Sequence, residues 1–143
     1  MYAYPYTLEQ DDDTILLQFP DIAIAHTFGE NEEDAIAHGQ GCLTAAISAI
    51  MDGKGDIPLP SKPNGRPTIA LEPLDAAKVE LYRTMRDQGI TKAELGRRLG
   101  VHAPQVDRLV DLTRTSRFEQ LQVALGAVGK TIELRISRRR IAA

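Results

Sequence analysis

Three short segments near the start of the chain carry the patterns of β-strands. Residues 2–9, 14–19 and 22–28 alternate apolar and polar positions or are rich in aromatic and β-branched side chains. Polar turns separate them, which predicts a hairpin followed by a third strand. Pro5 has no N–H to donate, so we expect the first strand to lie at a sheet edge or to bulge there. The positions predicted to face inward are Tyr2, Tyr4, Tyr6 and Leu8 in the first strand and Ile22, Ile24 and His26 in the third.

The apolar period then changes from two to between three and four, which predicts one long amphipathic helix. Asn31 is a good N-cap, acidic residues fill the first turn, and Gly53 ends the helix. Cys42 lies on the apolar side and is expected to be a small core residue rather than a reactive thiol. The positions predicted to pack against a sheet are Ala35, Gly39, Cys42 or Leu43, Ala46, Ile47 and Ile50.

A proline-rich segment divides the chain. Residues 55–67 contain four prolines, which predicts a linker or a tightly turning connection. Residues 68–72 have the pattern of a short fourth strand that returns to the first sheet. The fold class is therefore predicted to be α+β, with a small antiparallel sheet and one long helix over residues 1–72. A second domain is expected to begin at Pro73 and to cover residues 73–143.

The second half of the chain is predicted to be helical. Two amphipathic segments, 74–88 and 92–99, are each followed by glycine, which predicts two helices. Thr91 is expected to cap the second one, and Glu94, three residues on, completes a capping box. A third helix is expected to begin at residue 102 or 103 and to end near 112, with proline in its first turn.

The spacing of apolar residues over 91–112 predicts a helix-turn-helix, in which two short helices pack at a steep angle. A plain three-helix bundle is the alternative. The capping box, the glycine turn and the proline favour the helix-turn-helix. Ala93 is expected to be the small residue at which the two helices cross. The other positions predicted to be buried are Leu95, Leu99, Val101, Val106, Leu109 and Val110.

The exposed side of the last of these helices carries side chains that suit a DNA major groove. Glutamine pairs with adenine and arginine with guanine through two hydrogen bonds, which makes Gln105 and Arg108 the candidate base contacts. Thr91, Lys92 and Arg97 lie where phosphate contacts would position the unit. The full set of candidate DNA-binding residues is Thr91, Lys92, Arg97, His102, Ala103, Gln105, Asp107 and Arg108.

The end of the chain predicts a further helix over 117–128 and an alternating strand over 131–136. A lone strand is not stable in water, so we expect this one to pair with a second copy. The assembly would be a homodimer or a dimer of dimers, that is, a tetramer. The arginines at 138–140 are equally compatible with phosphate contact and with a solvated tail.

Charge is distributed unevenly along a chain whose net charge is only −3. Residues 1–60 hold eleven acidic side chains and one lysine, a balance of −10, whereas residues 61–143 carry +7. The basic half suits nucleic acid, and the acidic half attracts a basic protein. With neither a membrane-spanning apolar run nor a secretory signal, the expected compartment is the cytoplasm. The acids predicted to contact the partner are Asp11, Asp12, Asp13, Glu30, Glu32 and Glu33.

The sequence contains no motif for catalysis or for a cofactor. The three histidines, His26, His38 and His102, lack metal-ligand spacing, and one cysteine cannot form a disulfide or a cysteine-rich zinc site. The aspartates at 11–13 are consecutive in a turn, so their side chains splay apart, unlike the clustered carboxylates of a two-metal nuclease. We therefore expect a protein that is not an enzyme and that holds no metal or cofactor.

The order of several motifs resembles that of the HicB antitoxins that carry a C-terminal Xre-like helix-turn-helix. The motifs are Y-x-Y-x-L-E-Q-D-D-D at 4–13, T-I-L-L-Q-F-P-D-I at 14–22, T-F-G-E-N-E-E-D-A at 27–35 and D-G-K-G-D-I-P-L-P-S at 52–61. Where the family often has Pro-Gly-Cys after the second strand, this chain has Ile24, Ala25 and His26. The resemblance extends over nearly the whole chain.

The resemblance implies an N-terminal domain with a trimmed RNase H fold that binds HicA, a small basic mRNA-cleaving toxin, and covers its catalytic site. It also implies that the helix-turn-helix represses the operon that encodes the pair. The alternative is an Xre-like transcriptional regulator without a toxin partner, whose N-terminal domain senses a small ligand. Such a sensor would need a concave apolar pocket with a few converging polar groups.

Overall fold

A computed structural model describes residues 2–139, and within that range the chain forms five strands and five helices. The α+β class is confirmed. The helical N-caps at Asn31 and Thr91 and the helix ends at Gly53, Gly89 and Gly100 are also as predicted. The elements are β1 (Ala3–Pro5), β2 (Thr7–Asp11), β3 (Thr14–Gln18), β4 (His26–Gly29), α1 (Glu32–Asp52), β5 (Thr68–Ala70), α2 (Pro73–Gln88), α3 (Lys92–Leu99), α4 (Ala103–Leu109) and α5 (Phe118–Ala127).

The strands form two antiparallel sheets rather than one. β1 pairs with β5, and β2, β3 and β4 form a three-stranded sheet in that order. The single strand predicted for residues 2–9 is wrong, because the chain changes sheets at Tyr6, whose N–H donates to the carbonyl of Pro67 at 3.0 Å. The predicted inward face is correct in that Tyr2, Tyr4 and Tyr6 are all buried.

The third strand is shorter than predicted. The chain turns between Phe19 and Ala25, and β4 begins only at His26. Two backbone hydrogen bonds stabilise this turn: Ile22 N donates to Phe19 O at 3.0 Å, and Ala25 N donates to Ile22 O at 2.9 Å. Spacing in a turn does not follow the period of a strand, so Ile22 and Ala25 are buried whereas Ile24 is 58% exposed.

Helix α1 covers the sheets and completes the first core. Asn31 accepts a hydrogen bond from Asp34 N at 2.8 Å, which satisfies an N-terminal N–H that the helix itself cannot. The cysteine predicted for the core is only half-buried, and burial raises the pKa of the Cys42 thiol. The buried side of the helix consists of Ala35, Gly39, Leu43, Ala46, Ile47 and Met51.

The proline-rich segment is a packed connection. The hydroxyl of Tyr4 donates to Pro58 O at 2.7 Å, and that of Tyr82 donates to Gly55 O at 2.7 Å. Arg86 donates to Asp56 and stacks over Tyr82. β5 follows as predicted and pairs with β1, but the two strands form a sheet of their own and do not extend the sheet of β2, β3 and β4.

The second half folds around a separate core formed by α2, α3, α4 and α5. α4 ends at Leu109, earlier than predicted, because the Asp111 carboxylate accepts from Thr113 N and Oγ1 and holds a turn there. The core consists of Leu81, Met85, Leu95, Val106, Leu109, Leu121, Ala124, Leu125 and Val128.

The predicted strand over 131–136 is absent from the single chain. Ile132 packs against the second core, but Leu134 and Ile136 are 72% and 93% exposed. A strand needs a neighbour to bond its backbone, and the described part of one chain places none beside this segment. Of the arginines at 138–140, the first two are exposed and the third lies outside the described residues.

Helix α2 belongs to both cores. Val79 packs into the first core, whereas Leu81 and Met85 pack into the second. Between them, Glu80 accepts a hydrogen bond from the hydroxyl of Tyr2. Burial is the main cause that raises the pKa of that hydroxyl to about 12. The two halves of the chain therefore share one rigid element.

Candidate partner-binding and nucleic-acid-binding sites

The register of the three-stranded sheet brings six exposed acids to one place. Asp11 pairs with Thr14 across the β2–β3 turn, and Ile15 pairs with Gly29 at the end of β4. The turn and the start of α1 therefore meet at the same end of the sheet. We call this surface the acidic edge. It consists of Asp11, Asp12, Asp13, Glu30, Glu32 and Glu33, all exposed.

Local hydrogen bonds hold the backbone of the acidic edge. Asp12 adopts φ +51°, a left-handed turn conformation that aspartate tolerates better than most residues. Its carbonyl accepts from the Gln10 amide at 2.7 Å, and Thr14 Oγ1 donates to Asp11 O at 2.9 Å. At the helix start, Asp34 accepts from Glu30 N at 2.9 Å. Asp34 and Asn31, rather than the carboxylates of the edge, thus make these bonds at the helix start.

The acidic edge concentrates negative charge. The one base in residues 1–60, Lys54, follows the far end of α1, and 21 helical residues span about 30 Å. That distance exceeds the screening length of about 8 Å at physiological ionic strength. Lys54 therefore does not neutralise the edge, whose charge suits a cationic partner.

In the second half, α3 and α4 pack closely around a glycine. Gly96 is buried, and a Cβ added there would lie 3.0 Å from Val101 O and 3.4 Å from the Val106 side chain. The prediction that Ala93 is the small residue between the helices is wrong, because Ala93 is exposed. Leu95 and Val106 are fully buried on either side of the contact.

The capping box at the start of α3 is only half formed. Thr91 Oγ1 accepts from Glu94 N at 3.1 Å, as predicted. The carboxylate of Glu94 instead accepts from Arg97 and from Arg98 Nε, the latter at 3.0 Å. Two guanidinium groups within one helical turn attract the carboxylate more strongly than a neutral backbone N–H does.

The predicted DNA-facing residues are exposed, but some of them bind each other. Gln105 accepts from His102 N at 3.0 Å and so caps α4. Asp107 forms an ion pair with Lys92 at 2.8 Å, which links the start of α3 to the exposed side of α4. The candidate DNA-binding residues, all of them exposed, are Thr91, Lys92, Arg97, His102, Ala103, Gln105, Asp107 and Arg108.

A residue that the sequence analysis missed binds the backbone at the end of α4. Lys78 is 1% exposed, and its ammonium donates to the carbonyls of Arg108, Asp111 and Arg114. Burial lowers the pKa of this ammonium. The available signal was its position, four residues after Leu74 on the apolar side of α2, where a charged residue needs a partner.

The described residues contain neither a candidate metal site nor a helix that could cross a membrane. Within 2–139, no three His, Cys, Asp or Glu side chains come close enough together to hold a metal ion. Among the helices in the same range, none is both long and apolar enough to cross a bilayer.

Comparisons with known proteins agree on one family. Residues 2–80 match the family described as HicB_like antitoxin of bacterial toxin-antitoxin system. Antitoxin HicB of Pseudomonas fluorescens is 33% identical over 138 residues, 95% of this chain and 94% of that protein. Antitoxin HicB 2 of Photorhabdus laumondii is 34% identical over 131 residues, 92% of this chain and 94% of that protein.

Antitoxin HicB of Escherichia coli is 32% identical over 133 residues, 92% of this chain and 96% of that protein. These relatives are antitoxins, which confirms that the chain is not an enzyme. A regulator without a toxin partner is not favoured by this relationship. The match over more than half of the chain and the identity to full-length relatives lead to one conclusion: the chain belongs to the HicB-like antitoxins of bacterial toxin–antitoxin systems.

Proposed function

We propose that this antitoxin masks a HicA-like, basic, mRNA-cleaving toxin with residues 1–72 and represses its own operon with residues 73–143. The observation that carries the proposal is the acidic edge, whose six carboxylates gather at one end of a sheet in a half with a balance of −10. The N-terminal part would be a trimmed RNase H-like fold, and the C-terminal part a helix-turn-helix domain. Both activities belong in the cytoplasm, where mRNA and operator DNA are found.

Toxin binding through the acidic edge would be steered by charge. Opposite charges on two surfaces speed their encounter, and salt weakens this effect because it screens exposed charges. The acids assigned to this contact are Asp11, Asp12, Asp13, Glu30, Glu32 and Glu33.

Replacing Asp11, Asp12 and Asp13 together with lysine should slow association with the co-expressed basic toxin at least about tenfold at low salt. The on-rate, measured by surface plasmon resonance at several salt concentrations, should also lose most of its salt dependence. The matched control reverses three other exposed acids, Asp87→Lys, Glu119→Lys and Glu133→Lys, outside the acidic edge. Equal slowing by both triple variants would show that net charge, rather than the acidic edge, sets the rate.

DNA binding would use the shared exposed surface of α3 and α4. Gln105 and Arg108 would contact base edges in a major groove. Thr91, Lys92 and Arg97 would bind phosphates and fix the register. His102, Ala103 and Asp107 lie on the same surface, and Asp107 would also keep the Lys92 ammonium in place through their ion pair.

Gln105→Ala combined with Arg108→Ala should weaken operator binding by about 1–3 kcal/mol for each lost bidentate contact and should relax sequence preference. Gel shifts with the promoter duplex and a scrambled duplex measure both effects. Gln122→Ala, at an exposed position on α5, is the control for the glutamine and should leave binding unchanged. Rescue of growth from the toxin should persist in the double variant. Loss of rescue in a folded double variant would show that the two activities are coupled.

The exposed apolar residues of the C-terminal part favour a homodimer. Val123, Leu134 and Ile136 are 62%, 72% and 93% exposed. Pairing of residues 131–136 with the same segment of a second copy would bury apolar surface and satisfy the backbone of both strands. Two copies would place their α4 helices about 34 Å apart on a palindromic site, and two such dimers would give a tetramer.

Leu134→Ser combined with Ile136→Ser should shift the protein from dimer to monomer, because each change removes apolar surface from the proposed pairing. Sedimentation equilibrium over a range of protein concentrations measures this shift directly. Leu59→Ser, at an apolar position of the proline-rich segment that is 58% exposed, should leave the assembly unchanged. Wild-type protein that stays monomeric at high concentration would refute the dimer.

A further inference from the structure

The buried ammonium of Lys78 holds the chain at the end of α4. Nζ donates to Arg108 O at 2.8 Å, to Asp111 O at 2.8 Å and to Arg114 O at 2.5 Å. An ammonium has three N–H groups, and these three bonds use all of them. The side chain therefore satisfies the last turn of α4 and the loop after it from a position on α2.

Helix α4 is too short to fix its own direction. It has seven residues, about two turns, and isolated helices of that length are not stable in water. Its start is capped by Gln105. Its end presents carbonyls, the negative pole of a helix, to which a cation binds favourably. Lys78 supplies that cation from α2.

One of the three carbonyls belongs to Arg108, the residue whose side chain is proposed to read guanine. A bond to that carbonyl fixes the backbone from which the guanidinium projects. Lys78 is buried at 1% exposure and cannot itself reach a phosphate. Burying an ammonium is costly, and the carbonyls of Arg108 and Asp111 also accept from the N–H groups of Asp111 and Arg114, so they keep a donor without it. The lysine is therefore better explained by orientation than by stability.

We propose that Lys78 is a positioning residue for operator recognition: it sets the direction of α4 and the place of Arg108 by binding three backbone carbonyls. This inference rests on the proposed operator binding. It also gives α2 a specific part in operator binding. The same helix binds Tyr2 of the N-terminal half through Glu80 and Arg83.

The test uses Lys78→Met in the full-length chain, which keeps the volume and removes the ammonium. The probe is a labelled duplex of the DNA upstream of the chain's own gene. We expect operator affinity to fall at least about tenfold, with the salt dependence of binding unchanged because no phosphate contact is lost. Lys130→Met removes the same charge from a partly exposed lysine near α2 and should change affinity less than about twofold.

Chemical rescue separates orientation from volume. Lys78→Cys, in a chain whose only native cysteine is replaced by Cys42→Ala, can be alkylated with bromoethylamine while unfolded and then refolded. The product restores an ammonium at nearly the same reach and should recover most of the lost affinity. Amide hydrogen exchange at 110–116 should be faster in Lys78→Met than in wild type and should slow again after rescue.

The outcomes are distinct. Wild-type protein that fails to bind the duplex would refute the proposed function and this inference together. A Lys78→Met variant that binds as tightly as wild type, or whose salt dependence falls with its affinity, would overturn only the inference. Loss of helical circular dichroism in Lys78→Met would also overturn it, because the ammonium would then serve folding rather than orientation.

Discussion

Replacing Val106 with aspartate should unfold the C-terminal core and abolish operator binding. Val106 is fully buried, and its side chain lies against Gly96 where α3 and α4 meet. A carboxylate there would lose its water without gaining a cation or a donor. Burying an unpaired charge costs several kcal/mol, a large part of a total stability of about 5–15 kcal/mol. We expect an unfolding midpoint at least about 10 °C lower by circular dichroism.

The second core offers a matched control for this change. Gln122→Asp introduces the same group on α5, at an exposed position. Its carboxylate stays hydrated, so stability should change by less than about 0.5 kcal/mol. If Val106→Asp unfolds within a few degrees of the control, the packing of α4 on α3 cannot be what stabilises this half.

Helix positions were predictable because their signals are local. Asn31 and Thr91 precede their helices as caps, and Gly53 ends α1 where the apolar period stops. Each signal needs only a few neighbouring residues to take effect. The exposure of the candidate residues on α4 followed from the same periodicity, since Val106 and Leu109 fix which side of the helix faces inward.

What the sequence could not predict depends on partners distant in the chain. The break at Tyr6 exists because Pro67 accepts its N–H, and 61 residues separate the two. The position of Lys78 on the apolar side of α2 indicates that it needs a partner, but only the structure shows that its partners are the carbonyls of residues 108, 111 and 114. Ala93 and Gly96 are both small, and only the packed structure shows which of them lies between the helices.

For both candidate surfaces, the sequence predicted the residue types but not their contacts. The charge of the acidic edge was evident from composition. That its two groups of acids lie side by side could be seen only from the register of β3 with β4. The ion pair of Lys92 with Asp107 was not predicted either. The sequence predicted a DNA contact for each residue, but not their contact with each other. Sequence thus supplied the candidate side chains, and tertiary structure shows which of them lie together.

The acidic edge depends on one close approach of backbone to backbone, at Gly29. A Cβ added to Gly29 would lie 2.2 Å from Ala35 N and 2.6 Å from Ala35 Cα, far inside contact distance. These atoms belong to the backbone of the first turn of α1, and a helix backbone cannot move aside as a flexible side chain can. Gly29→Ala should therefore push the start of α1 away from the end of β4, at a cost of at least about 3 kcal/mol.

The expected result of Gly29→Ala is a lower unfolding midpoint together with weaker toxin binding, because Glu30, Glu32 and the β2–β3 turn would no longer share one surface. Thermal unfolding and the association rate with the toxin measure the two effects. Gly41→Ala is the matched control: a Cβ there meets no atom within 4 Å, and alanine favours the interior of α1 by about 0.5–1 kcal/mol. The control should raise the midpoint and Gly29→Ala should lower it. Should both variants be stabilised, the close packing of β4 against the start of α1 would be wrong, and with it the geometry assigned to the acidic edge.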